Sequence, residues 1–111
     1  MTKLVFLAMP TRGTVVDNKV KPEVNSFVAY LHDLHQNTAF LCPVIQDYQV
    51  LPYLTKGKAS WKEWENRCKA KIKVADELWV LKYPEWNCSI GVAEEIEFAI
   101  TNGIKVVYIN V

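Results

Sequence analysis

Four short apolar runs restrict the folds open to this chain: KLVFLAM (3–9), TAFLCPVI (38–45), ELWVLKY (77–83) and GIKVVYI (103–109). Runs of this length, bounded by turn residues and lacking strict alternation, read as strands buried on both faces. Pro10 and Gly13 close the first run, and Pro43 places the end of the second at a sheet edge or exit. Between the runs lie stretches of helical period. One helix is predicted from near Pro22 to about Gln36, with Val24, Phe27, Val28, Leu31 and Leu34 on one stripe. Ser60, with Glu63 three residues on, forms a capping box that opens a second helix. A third follows Ser89. Residues 46–59, QDYQVLPYLTKGKA, show no period and are expected to form a loop long enough to suggest a role in function.

Strands alternating with helices in this way imply one three-layer α/β domain over residues 1–111. The sheet is expected to be mostly parallel, of four or five strands, covered by helices on both faces (Rossmann-like or flavodoxin-like) with right-handed crossovers. Half of the 111 residues are apolar, enough for such a core. Ligands of such sheets bind beyond the carboxyl ends of the strands, where the strand order reverses. Here those ends read MPTRG, PVIQ and YPEWNCS.

Composition narrows the partners. A net charge of +1 leaves no electrostatic footprint for a polyanion. Arg67, Lys69, Lys71 and Lys73 fall on two sides of the second helix, with Glu63 beside Arg67, so a nucleic-acid partner is not expected. The run LVFLAMP is too short for a signal peptide and lacks its flanks, and no stretch approaches the ~18–20 apolar residues that span a bilayer. No membrane partner and a cytoplasmic location are therefore expected. Cys42, Cys68 and Cys88 are odd in number and widely spaced, which suits free thiols rather than a disulfide framework or zinc cluster. His32 and His35 read as exposed histidines, because no third ligand completes a metal set. No metal or cofactor is expected.

The segment WNCSIGVAEEIEFAI (86–100) carries the most chemistry. Ser89 is suited to cap its helix. At ~100° per residue, Val92, Ile96, Ala99 and Ile100 form the inward stripe, while Glu94 and Glu97 face water. Glu95 lies about 60° from Val92, on the flank of the stripe. The helix dipole there is worth roughly 0.3–1 kcal/mol and favours an ionised carboxylate. Gly91 in the first turn costs roughly 1 kcal/mol against alanine, a cost that makes sense where a ligand approaches free N–H groups. From these features alone Glu95 suits a nucleophile, a clamp on ribose hydroxyls or a structural cap.

The stretch ADELWVL…EWNCSIGVAEEIEFAITNGIKVVYI resembles the carboxyl half of the nucleoside 2-deoxyribosyltransferase superfamily, and VFLAMPTRG is similar to its first strand and nucleotide-contacting loop. Ser89, Gly91, Glu95 and Ala99 match the spacing of its signature, and a serine at position 89 resembles the branch of N-glycosidases acting on deoxynucleoside 5′-monophosphates. The resemblance implies that Glu95 is a nucleophile forming a covalent glycosyl intermediate, resolved by water or by another base. It implies that Ser89, Gly91, Met9, Thr11, Arg12 and Gly13 bind substrate, Arg12 and Gly13 on the phosphate side. A small-molecule nucleotide or nucleoside and a homodimer or higher homo-oligomer are the partners it implies. The chain also departs from the superfamily: Phe6 stands where a tyrosine often orients the nucleophile, and Cys68 where an acid assists base departure. Glu65, one turn earlier on an apolar face with Trp61 and Trp64, either has a raised pKa suited to general-acid work or pairs with a nearby lysine. Trp64 reads as core or as a platform for a base.

Overall fold

In chain order the elements are β1 (Lys3–Ala8), β2 (Val16–Asp17), β3 (Lys19–Val20), α1 (Pro22–Leu34), β4 (Thr38–Leu41), α2 (Pro43–Val50), α3 (Trp61–Val74), β5 (Glu77–Leu81), α4 (Ile90–Thr101) and β6 (Lys105–Ile109). A 3-10 turn, Trp86–Cys88, precedes α4. This computed structural model describes residues 2–11, 15–17, 19–50, 53 and 61–111. Arg12, Gly13 and Ser60, named above, lie outside the described residues, as do 51–52 and 54–59 of the expected loop.

β4, β1, β5 and β6 form a four-stranded sheet in that order, every pair parallel. The alternation along β1 sorts its side chains between two cores. Val5 and Leu7 join Trp79, Leu81 and Tyr83 beneath Val24, Val28 and Leu31 of α1. Phe6 and Ala8 join Leu78 and Val80 beneath Cys68 and Ile72 of α3 and Val92 and Ala99 of α4. Helices therefore cover both faces, as the apolar strands require. The second strand is shorter than predicted. It ends at Leu41, and Pro43 opens α2, whose first turn begins with Gln46 N–H donating to the Cys42 carbonyl at 3.0 Å. A continuous apolar run does not distinguish strand from helix by period, and proline at the first helical position has the right φ and no N–H to waste. Residues 46–50 are accordingly helix rather than loop.

Two further expectations are corrected. Ile100 is 64% exposed, whereas Val92 and Ala99 are buried. The buried arc of α4 is rotated from Val92 toward Glu95, and Ile100 lies about 80° away on the other side. His35 is half-buried and docks edge-on against Trp79, its ring centroid 5.0 Å away, whereas His32 remains exposed beside Phe40. No helix among the described residues is long and apolar enough to cross a membrane.

Candidate functional site

The chain leaves β1 for β4 on one side and returns past β1 to β5 on the other, so strand order reverses between β1 and β5. A cleft of about 440 Å3 opens at their carboxyl ends. Its described walls are Pro10 and Thr11, which follow β1, and Glu85, Cys88, Ser89, Ile90 and Gly91, which follow β5. This is where a doubly wound sheet diverges and leaves a crevice.

The α4 end of the cleft is built by its cap. Ser89 is extended (φ −74, ψ 121), and its Oγ accepts from Val92 N–H at 3.3 Å while its carbonyl accepts from Ala93 N–H at 3.0 Å. The amides of Ile90 and Gly91 precede these bonds and sit at the positive end of the helix. Cys88 presents an exposed free thiol to the same wall. Glu85 is the one non-glycine residue with positive φ among those described, in the left-handed region at φ 74, ψ 8. Sequence reasoning did not single out Glu85 or Cys88 as site residues. Their one signal was a place in YPEWNCS, at the end of a strand.

Glu95 lies in a smaller crevice, lined by Trp64, Glu65, Cys68, Lys69, Gly91, Glu94 and Glu95, with about 10 Å3 of free space. That is on the order of one water. Gly91 borders both spaces. Burial pushes the Glu95 carboxyl up to about 8, against a hydrogen bond with the Cys68 thiol that pulls the other way, and Glu94 adds to the rise. The expectation that the helix dipole keeps Glu95 ionised is thus corrected. Loss of solvation outweighs a dipole effect of roughly 0.3–1 kcal/mol. Burial also raises the thiols, Cys42 to about 11 and Cys68 to about 12, so neither is a thiolate at neutral pH.

Glu65 is corrected as well. The Lys69 ammonium, one helical turn away at 2.9 Å, holds its carboxyl below the usual range, so of the two alternatives the structure has the lysine pair. Glu94 was expected to face water. It is half-buried, and its Oε2 is buried without a hydrogen-bond partner among the described residues, whereas Glu97 is exposed. Trp64 is half-buried between the two cores, and its indole N–H donates to Asp47 Oδ2 at 2.7 Å. That bond ties α3 to α2, while Trp64 still lines the crevice. The Met9 side chain does not belong to the site; it is 2% exposed and packs in the α1-side core. Phe6 is wholly buried and brings no hydroxyl toward Glu95. Among the described residues, no three His, Cys, Asp or Glu side chains are grouped to hold a metal ion.

Residues 3–111 match the family described as a domain of unknown function (DUF1937). The chain belongs to that family. No curated protein matches it. Among solved structures it is similar to the crystal structure of a conserved protein from Enterococcus faecalis V583, with a TM-score of 0.74 at 20% identity. The match covers 97% of this chain and 63% of the bacterial one, so the DUF1937 chain spans less than two thirds of that protein's length. At such identity the likeness speaks for the fold, which is the parallel α/β architecture described above.

Proposed function

We propose that the chain cleaves the N-glycosidic bond of a nucleotide or nucleoside, with hydrolysis of a 5′-monophosphate favoured over base exchange. The observation that carries this reading is the shared wall. The capped start of α4 lines a cleft of about 440 Å3, and Glu95, on the same helix, lines a crevice that meets the cleft at Gly91. A phosphate suits the amides of Ile90 and Gly91 and the Ser89 hydroxyl, whose oxygen serves the cap while its hydrogen remains to be donated. Arg12, by its resemblance to the phosphate-side loop of the nucleotide N-glycosidases, would add a countercharge.

In the reaction, the Glu95 carboxylate attacks the anomeric carbon as the bond to the base breaks and its electron pair leaves with the base. Water then adds at the same carbon and frees Glu95, the double displacement of retaining glycosidases. A carboxyl that titrates near 8 must lose its proton before it attacks, so turnover rises with pH through that range. A second reading has its own support. The ion pair of Glu65 with Lys69 and the hydroxyl-free Phe6 leave Glu95 without the usual assistance, which suits a module that binds nucleotide without turning it over.

Chromatographic detection of free base separates the two. The protein and Glu95→Gln are incubated with a panel of nucleoside 5′-monophosphates and nucleosides, with and without a second base. Base release by the wild type that disappears in Glu95→Gln is the expected result, and new nucleoside in the acceptor samples would mean transfer. Thermal stabilisation by nucleotides with no base released, equal in both proteins, would replace the catalytic reading with the binding one.

A further inference from the structure

The sheet ends at β4 on one side and at β6 on the other. β6 pairs with β5 residue for residue, without a bulge, and its sequence KVVYI holds no proline and one charge, Lys105. Edge strands usually carry more protection than this, because their free N–H and C=O groups otherwise pair with another chain. Val106, Val107 and Ile109 are half-buried, and Tyr108 is 49% exposed. The helix beside this edge is apolar on the same side. α4 rests on β5 and β6, with α3 as its neighbour. Gly91, Glu94, Glu95 and Phe98 face α3, the last beneath the Lys69 ammonium at 5.7 Å. At ~100° per residue, Ala93, Ile96 and Ile100 lie on the opposite flank, which overhangs the edge. Ala93 is exposed, Ile96 half-buried and Ile100 64% exposed. Ile104 and Val106 continue this flank onto the strand, and Tyr108 reaches Trp86 at 5.5 Å between centroids.

We propose that this face joins a second copy of the chain, β6 pairing antiparallel with the partner's β6 and α4 with the partner's α4, about a two-fold axis normal to the sheet. Spacing, shape and charge favour a copy over an unrelated partner. Strands lie about 4.8 Å apart, and α4 sits between β5 and β6, so continuing the sheet through the axis leaves the two helices about 10 Å apart, a packing distance. Antiparallel helices that cross between Ile96 and Glu97 set Ile100 of each copy against Ala93 of the other, large against small, and an isologous contact does so twice. The positive end of each helix then lies beside the negative end of the other, and the two Lys105 ammoniums stand at opposite ends of the paired strands. About a dozen residues per copy take part, roughly half of a standard interface, which suits a reversible dimer of micromolar strength. This goes beyond the oligomer that the resemblance implies, which has no assigned face, and it does not depend on the glycosidic reading.

Sedimentation velocity across the micromolar range tests this on wild type, Ile100→Lys, Ala93→Glu and the double variant, with circular dichroism to verify that each folds. Both positions are exposed on a helix, so the core is left intact. Wild type is expected to dimerise as concentration rises, and each single variant to do so about tenfold more weakly. In the double variant each new ammonium meets the partner's new carboxylate, and dimerisation should return to near the wild-type level. Hydrogen exchange of the wild-type β6 amides, which should slow as concentration rises, tests the strand pairing without any substitution. A wild type that stays monomeric throughout would overturn the proposal. So would a dimer that the single variants leave unchanged, a double variant as weak as Ile100→Lys, or β6 exchange that does not respond to dimerisation.

Discussion

At the scale of single residues, Glu95 stands half-buried in the narrow crevice between α3 and α4. Its protonation is also a statement about stability. A carboxyl raised to about 8 in the folded chain, from the ordinary 4.5, holds a proton that the unfolded chain has already released between those pH values. Stability from this group is therefore fully present below pH 4.5 and is lost as pH rises through 8. The loss is up to about 5 kcal/mol by the rule of ~1.4 kcal/mol per pKa unit. Glu95→Gln, neutral at every pH, should flatten this dependence. Urea denaturation of both proteins from pH 5 to 9 checks it, and parallel curves would mean that Glu95 is ionised in the native state. Trp64 and Asp47 illustrate the opposite arrangement. An indole N–H at 2.7 Å and Lys71 at 3.8 Å give the half-buried Asp47 carboxylate its partners.

At the scale of elements, α4 is the part in which the helix cap and the cleft wall share the same residues. Its carboxyl end closes with Gly103 at φ 71 and Ile104 N–H donating to the Ala99 carbonyl at 2.9 Å, the left-handed stop that glycine permits. Its amino end is closed by Ser89 and simultaneously walls the cleft. Ser89→Ala should cost about 0.5–2 kcal/mol, the worth of a side-chain cap. Ser89→Asp should restore that stability, because a carboxylate caps equally well and suits the dipole, yet weaken binding of a 5′-monophosphate by like-charge repulsion. Denaturant midpoints and nucleotide binding, measured on the same three proteins, separate the two roles. Parallel losses of both quantities in Ser89→Asp would show that the cap and the ligand wall are not separable.

At the scale of the whole molecule, stability is concentrated at the centre of the sheet. β1 and β5 are buried on both faces, with Val5, Phe6, Leu7, Leu78, Val80 and Leu81 wholly enclosed, whereas every residue of β6 is half-buried or exposed. Amides of β1 and β5 should exchange with solvent only on global unfolding, and those of β6 through smaller openings. Native-state hydrogen exchange followed by NMR checks this, and equal protection across all four strands would mean that the sheet opens as one unit. The described walls of the cleft leave the sheet at the carboxyl ends of these two enclosed strands.

The architecture was legible in the amino-acid order because burial on both faces demands continuous apolar strands, and the crossovers between parallel strands demand helices. The same order pointed to three strand ends, MPTRG, PVIQ and YPEWNCS, and the cleft lies at the first and third, with Ser89 and Gly91 on its wall and Glu95 in the adjoining crevice. It did not distinguish the strand ending at Leu41 from the helix starting at Pro43, because a run apolar on every side has no period to read. It left two readings of Glu65 open, of which the structure has the lysine pair, and it did not foresee the protonation of Glu95, the buried Met9 or the left-handed Glu85. Those depend on how far α4 rotates against α3 and on where the turn after β5 sends its backbone. Local periodicity determines which faces of the elements are apolar, but solvation, charge and strain at a site are set by distances between segments remote in sequence, and only the packed structure supplies them.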